Sequence, residues 1–190
     1  MSLKTRFGNL GNILDFDNLT EENIYVLDSP ILTNSQFKKF KKFFSKRIKV
    51  IDCTFDIEGS LKERIKLIRE EAETAVREGS TCLVLSDKNI SSQKASIPSI
   101  LTVGAVHSHL VKHGLRGYCS LNVECSDAMD THSFAILIGV GATTVNPYLA
   151  IDSIYQRFEK KLFGKSDFET CVSKFKKSID AGLLKIMSKM

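Results

Sequence analysis

Residues 123–150 read VECSDAMDTHSFAILIGVGATTVNPYLA, and the order of residue types along this stretch sets the fold class. Val123 ends an apolar segment, a polar crossing follows, and an apolar run at 134–142 is broken by Gly139 and Gly141. A short segment at 143–146 then leads into another helical pattern at Asn146-Pro147. Strand, helix, glycine turn, strand and helix make a βαβα unit. Asn146 is expected to cap the last helix, with Pro147 at its first position, where a missing N–H leaves nothing unpaired.

The same alternation extends upstream. Strands are expected at 49–55, 81–86, 118–124 and 143–146, with a helix in each gap. The segment TCLVLS at 81–86 is almost wholly apolar, as a parallel strand covered on both faces requires. Right-handed crossovers then give a mainly parallel α/β sheet. Four such units amount to half a (β/α)₈ barrel or to a small open sheet, and both remain open at this point.

Helix starts are marked by hydroxyls followed three residues later by Gln or Glu. Thr33 with Gln36, Ser60 with Glu63 and Ser166 with Glu169 each fit a capping box. Leu61, Ile65, Ile68, Ala72 and Ala75 form one apolar stripe, and Gly79 supplies a left-handed stop. The helix at 97–113 carries Ile100, Leu101, Val103, Val106, Leu110 and Val111, a broad surface expected to be well buried, with Pro98 in its first turn. Residues 1–28 read as an extended lead-in and 29–165 as the central α/β domain. Residues 166–190 read as a helix leading into a further domain, because the stripe Phe168, Val172, Phe175, Ile179, Leu183 and Ile186 runs on to KIMSKM without a cap or turn.

Composition narrows the class. The 190 residues are 43% hydrophobic and 26% charged, which argues against disorder and coiled coil. Five scattered cysteines, an odd number, suit reduced, buried thiols in a cytoplasmic protein better than a disulfide framework. The apolar run at 134–142 is too short to span a bilayer. The net charge of +5 is concentrated in lysine clusters at 38–47 and 160–189. Phe37, Phe40 and Phe44 interleave with the first cluster at helical spacing, so these phenylalanines are expected in the core with the lysines in water. A nucleic-acid or acidic-partner surface is the competing reading.

Chemistry-bearing constellations are sparse. His107 and His109 fall on opposite sides of a helix, whereas His109 and His113 share a face. No acid or cysteine stands at a supporting interval along the chain, so no metal site is assigned. Cys119 and Cys125 bracket a strand without the close spacing of zinc or iron–sulfur ligands. Glu124, Asp127, Asp130 and His132 lie near a strand end, where α/β folds place active sites, and form the best local candidate for acid–base work. Gly139-Val140-Gly141 follows a helix, the reverse of a dinucleotide fingerprint. Nothing resembles a nucleophile elbow.

These elements, in this order and with these residues, resemble the central domain of the large subunit of glutamate synthase. The resemblance runs through MSLKTRFGN, LDSPILTN, LVLSDKNI, IPSILTVGAVHSHLVKHGLR, the stretch at 123–150 and KSIDAGLLKIMSKM. Family members typically read HHHL where this chain has His107-Ser108-His109-Leu110. They carry Ser-Gly near Cys125-Ser126 and VHHFA near residues 131–135. The resemblance implies an α/β fold related to the barrel of FMN-linked oxidoreductases. It also implies a parent enzyme that forms glutamate from glutamine and 2-oxoglutarate with FMN and a 3Fe–4S cluster. Its partners would be the amidotransferase and FMN-binding synthase domains of the same polypeptide. This chain's share is then structural and interdomain, with no cofactor, catalytic or metal residue of its own. Met1, Ser2, Met187 and Ser188 are the residues expected to approach the synthase site. The rival readings are a free-standing α/β binding protein or enzyme using the 124–132 loop, and the lysine-cluster module.

Overall fold

A computed structural model describes residues 1–7 and 24–190. A four-stranded parallel sheet organises it: β3 (Ile48–Asp52), β5 (Cys82–Ser86), β7 (Ser120–Glu124) and β8 (Thr144–Asn146), hydrogen-bonded in that order. The crossover helices α2 (Leu61–Arg77), α3 (Ser99–Lys112) and α4 (Thr131–Gly139) pack on one face, with Ile68, Val103, Val106, Phe134 and Leu137 against Ile51, Leu83, Leu85, Leu121, Val123 and Val145. Sequential strand order with every crossover helix on the same face is the winding of part of a (β/α) barrel, not of a doubly wound sheet. Ile31 adds a parallel bridge to Val145 at the far edge.

The opposite face holds a separate core. Helix α1 (Asn34–Phe43) lays Phe37 and Phe40, with Phe44 beyond its end, over Cys82, Val84 and Leu32. Successive strand residues face opposite sides, so this face also receives Ser120, Asn122 and Thr144, all buried. Asn122 satisfies them: its Nδ2 donates to the Leu83 carbonyl (3.1 Å) and Ser120 Oγ (3.0 Å), and its Oδ1 accepts from Thr144 Oγ1 (2.7 Å). Buried amides of this kind are stable only when so paired.

At the chain's ends, β1 (Thr5–Phe7) pairs antiparallel with β2 (Tyr25–Leu27). The remainder of the expected lead-in, residues 8–23, lies outside the described residues. After β8 come α5 (Tyr148–Glu159) and α6 (Phe168–Met187). Helix α6 packs on α4, with Ile179 and Leu183 in the main core and Phe175 edge-on to Phe134 at 6.4 Å. Gly182 permits this approach, because a Cβ there would collide with Thr131 at about the separation of bonded-shell atoms rather than packed ones.

Several local expectations change. The strand expected at 49–55 is two: β3 ends at Asp52, whose carboxylate takes the Thr54 N–H (3.0 Å) and hydroxyl (2.8 Å). The chain then turns into β4 (Thr54–Asp56), antiparallel to β6 (Lys94–Ser96). Arg116–Tyr118 form a 3₁₀ turn, so the next strand begins at Ser120. The last helix is capped by Asp167 rather than Ser166, its carboxylate accepting from the Thr170 N–H at 2.7 Å, a placement that also suits the positive end of the helix dipole. Asn146 does not cap α5. Pro147 occupies that position, and Asn146 Nδ2 donates to the Leu32 carbonyl (2.9 Å) and Asn34 Oδ1 (3.0 Å) instead. Pro98 likewise takes the cap position of α3. Ile100, Leu101 and Val111 are 44%, 41% and 54% exposed, because α3 has only one face against the sheet. Thr33 and Gln36 form the full reciprocal box, Ser60 caps α2, and Gly79 stops α2 at φ +95°.

Candidate functional site

The C-terminal ends of parallel strands gather loops and backbone carbonyls, which is why α/β folds build sites there. In this chain the loop after β5 supplies Asp87 and Lys88, the end of β7 supplies Glu124, the loop after it Ser126, and α5 opens with Tyr148. Glu124 is buried, and its Oε2 accepts from Ser86 Oγ at 2.7 Å. Lys88 and Lys41 approach its Oε1 at 3.5 and 3.6 Å. A buried carboxylate needs such compensation, since an unpaired charge in this position is strongly unfavourable. Lys41 therefore leaves the solvated face expected for its cluster, and its Nζ also stands 4.7 Å from the centre of the Phe37 ring.

Asp87, also buried, holds Ser126 through Oδ2, which accepts the Ser126 N–H (2.9 Å) and hydroxyl (2.6 Å). Its other oxygen, Oδ1, has no hydrogen-bond partner among the described residues. Burial, and secondarily the Asp87 charge beside it, push the Tyr148 phenol well above its ordinary range, so Tyr148 stays protonated near neutral pH. Its ring lies 5.3 Å from Lys88 Nζ.

The four residues singled out from the sequence are thus placed apart. Glu124 is in the lysine clamp. Asp127 Oδ2 accepts the Ser99 N–H at 2.9 Å and so caps α3 from outside its own helix, which Pro98 cannot do. Asp130 caps α4 through Ser133, and its carboxyl is held below the usual range by those hydrogen bonds. His132 follows it in the first turn of α4. The acids are engaged in holding loops and helix starts, and the arrangement converges on no common point. Cysteine chemistry is disfavoured too: all five thiols are free and buried, and burial pushes Cys53 and Cys82 up to about 12, far from thiolate reactivity.

A second constellation lies on the outer helices. Glu73 of α2 meets His109 and His113 of α3, with His109 Nε2 2.7 Å and His113 Nε2 3.9 Å from Glu73 Oε2. The histidine pair was legible from its spacing. The acid was not, because it stands on a different helix, brought alongside only by the sheet. His107 takes no part. Its Nδ1 accepts from Arg116 Nε at 3.2 Å, and burial followed by the Arg116 charge lowers its pKa.

Ser2 and Met187 line one apolar groove of about 420 Å³, together with Leu3, Ala135, Ile138, Leu183, Ile186 and Met190. Met1 is 78% exposed, and Ser188 closes α6, its hydroxyl donating to the Lys185 carbonyl at 2.7 Å. Among the described residues, no helix is long and apolar enough to cross a membrane.

Comparison with known proteins draws these observations together. A family model described as the glutamate synthase central domain matches residues 1–190. The chain is 48% identical over 193 residues to the NADPH glutamate synthase large chain of Azospirillum brasilense, covering all of this chain and 13% of that one. It is 37% identical over 205 residues to the chloroplastic ferredoxin-dependent glutamate synthase of Spinacia oleracea, again covering 100% of this chain and 13% of the relative. A flavocytochrome b2 variant with pyruvate bound overlaps 90% of this chain and 38% of its own at 18% identity and TM-score 0.47, too distant to bear on function. The chain therefore spans about 13% of the length of these relatives and belongs to the glutamate synthase central domain family.

Proposed function

We propose that this chain serves as the connecting domain of a glutamate synthase, an oxidoreductase that forms glutamate from glutamine and 2-oxoglutarate. In this reading FMN and a 3Fe–4S cluster belong to other parts of the same polypeptide, as do an amidotransferase and a synthase domain, and the whole enzyme is cytoplasmic. The observation that carries the reading is the end-to-end family match over a chain that is only 13% of its relatives' length. The local chemistry agrees with a structural share. The acids at the strand ends cap helices, hold loops or sit between lysines, and burial raises the Cys53 and Cys82 thiols out of the reactive range.

The groove lined by Ser2 and Met187 is the surface this reading assigns to the synthase domain. Both residues reach it from segments remote in sequence, and its walls are largely apolar, the kind of exposed surface that marks an interaction site. The test is made in the intact enzyme. Met187→Lys places a charge in the groove and should lower glutamine-dependent glutamate formation. The same substitution in the 190-residue chain should leave its melting unchanged. Unaltered kinetics and flavin content in both Met187→Lys and Ser2→Lys enzymes would remove the groove from the interface. A purified 190-residue chain that bound FMN or consumed 2-oxoglutarate unaided would instead favour a free-standing enzyme.

A further inference from the structure

We infer that Glu73, His109 and His113 form a binding site for a divalent transition metal of the zinc class, stapling α2 to α3 on the outer face of the domain. One ligand atom from each residue lies within 4.8 Å of the other two. A tetrahedral ion with bonds near 2.1 Å needs its ligand atoms about 3.4 Å apart. The present separations from Glu73 Oε2, 2.7 Å to His109 Nε2 and 3.9 Å to His113 Nε2, bracket that value, and all three ligand atoms lie within 4.8 Å of one another, so side-chain rotation without backbone movement would close the site.

The groups around the trio prepare two of the ligands, and at the third a metal would displace the proton that His109 Nε2 shares with Glu73. His113 Nδ1 lies 2.8 Å from the His109 carbonyl, and a carbonyl only accepts, so Nδ1 carries the proton. The lone pair is thereby left on Nε2, the atom turned toward Glu73. Anchoring the far nitrogen of a ligand imidazole on a carbonyl is the usual means of fixing its tautomer and orientation at a metal. Glu73 is prepared in the same way. Arg77 takes its Oε1 with Nε at 2.9 Å and a terminal nitrogen at 2.8 Å, which orients the carboxylate and leaves Oε2 to the histidines.

A simple His109–Glu73 ion pair accounts for one of these contacts. It does not account for a second imidazole, its ring centre 4.3 Å from the first, with Nε2 3.9 Å from the same oxygen. Two imidazoles and a carboxylate suit Zn²⁺, Co²⁺ or Ni²⁺ rather than Mg²⁺ or Ca²⁺, which prefer all-oxygen cages. Access is open: His109 and His113 line a groove of about 550 Å³ between the two helices, with Lys66, Arg69 and Glu70 of α2 and Ser108 and Lys112 of α3. A fourth position facing that groove would take water or a side chain from a neighbouring domain.

The test is titration of the metal-free 190-residue chain with Co²⁺. Binding of one ion per chain is expected, with the visible bands of tetrahedral Co²⁺, displacement by Zn²⁺ and a raised melting temperature. Mg²⁺ at the same concentration should do neither. His113→Ala and Glu73→Gln should each weaken binding by about tenfold or more, while His132→Ala, on a remote helix, should bind as the parent does. Far-ultraviolet circular dichroism confirms that each variant is folded, and His113 is exposed enough to be replaced without loss of the core. Absence of binding tighter than about 1 mM, or binding that survives both His113→Ala and Glu73→Gln, overturns the proposal and leaves an ion pair.

Discussion

Arg116 shows how one side chain can organise an end of the sheet. Its guanidinium donates to the carbonyls of Cys119 (2.6 Å) and Gly141 (2.9 Å), to His107 Nδ1 (3.2 Å) and to Thr143 Oγ1 (3.5 Å). Thr143 Oγ1 in turn accepts the Leu121 N–H at 3.1 Å. The turns entering β7 and β8 are thus tied to α3 through one cation. Gly141, at φ +119°, belongs to the same knot, since a Cβ there would strike the His107 ring. Arg116→Ala removes charge-assisted bonds and leaves two carbonyls unpaired, so urea denaturation should show a loss of about 2–3 kcal/mol. The pH dependence has a definite sign. His107 has a lowered folded pKa, so the unfolded chain takes up its proton first. The contribution of this contact is complete above a pH of about 6.5 and is lost as the pH falls below it. Repeating the denaturation across that range reads the loss, and a His107 contribution that grew on acidification would contradict the arrangement. None of this was visible in the sequence, where Arg116 was one more basic residue after a histidine-rich helix.

At the scale of elements, α1 was the most legible and also the most incompletely so. The spacing of Phe37, Phe40 and Phe44 marks an inward stripe, and all three are buried. Their rings pack in sequence, Phe37 to Phe40 at 5.7 Å and Phe40 to Phe44 at 5.1 Å. What spacing does not say is that this stripe covers the face opposite α2, α3 and α4. Phe40 sits at the centre of that second core, and Phe40→Ala should cost about 3–5 kcal/mol, read from the denaturation midpoint at unchanged slope. A cost below 1 kcal/mol would mean that the second core contributes little. The same limit explains the misplaced start of α6. Ser166 and Asp167 both satisfy the local rules for a cap, and the choice between them turns on which acceptor meets the Thr170 N–H.

For the whole molecule, the main question is what the domain needs in order to stand. Helix α6 contributes Ile179 and Leu183 to the same core as the sheet and covers Phe134. Deleting residues 166–190 should therefore give a chain that binds hydrophobic dyes and melts without cooperativity, whereas a sharp melt after deletion would make α6 an appendage. Alternating strand and helix patterns, with glycine punctuation, were enough to establish the α/β class, and the residues at 97–116 and 123–150 established the family. Those features are local, set by side-chain periodicity and backbone freedom within a few turns of chain. Tertiary structure alone decided which face α1 covers, that Asp127 caps the remote α3, and that Glu73 joins a histidine pair distant in sequence. Each of these depends on how parallel crossovers set remote helices side by side, and a sequence records the surfaces of its helices without recording their neighbours.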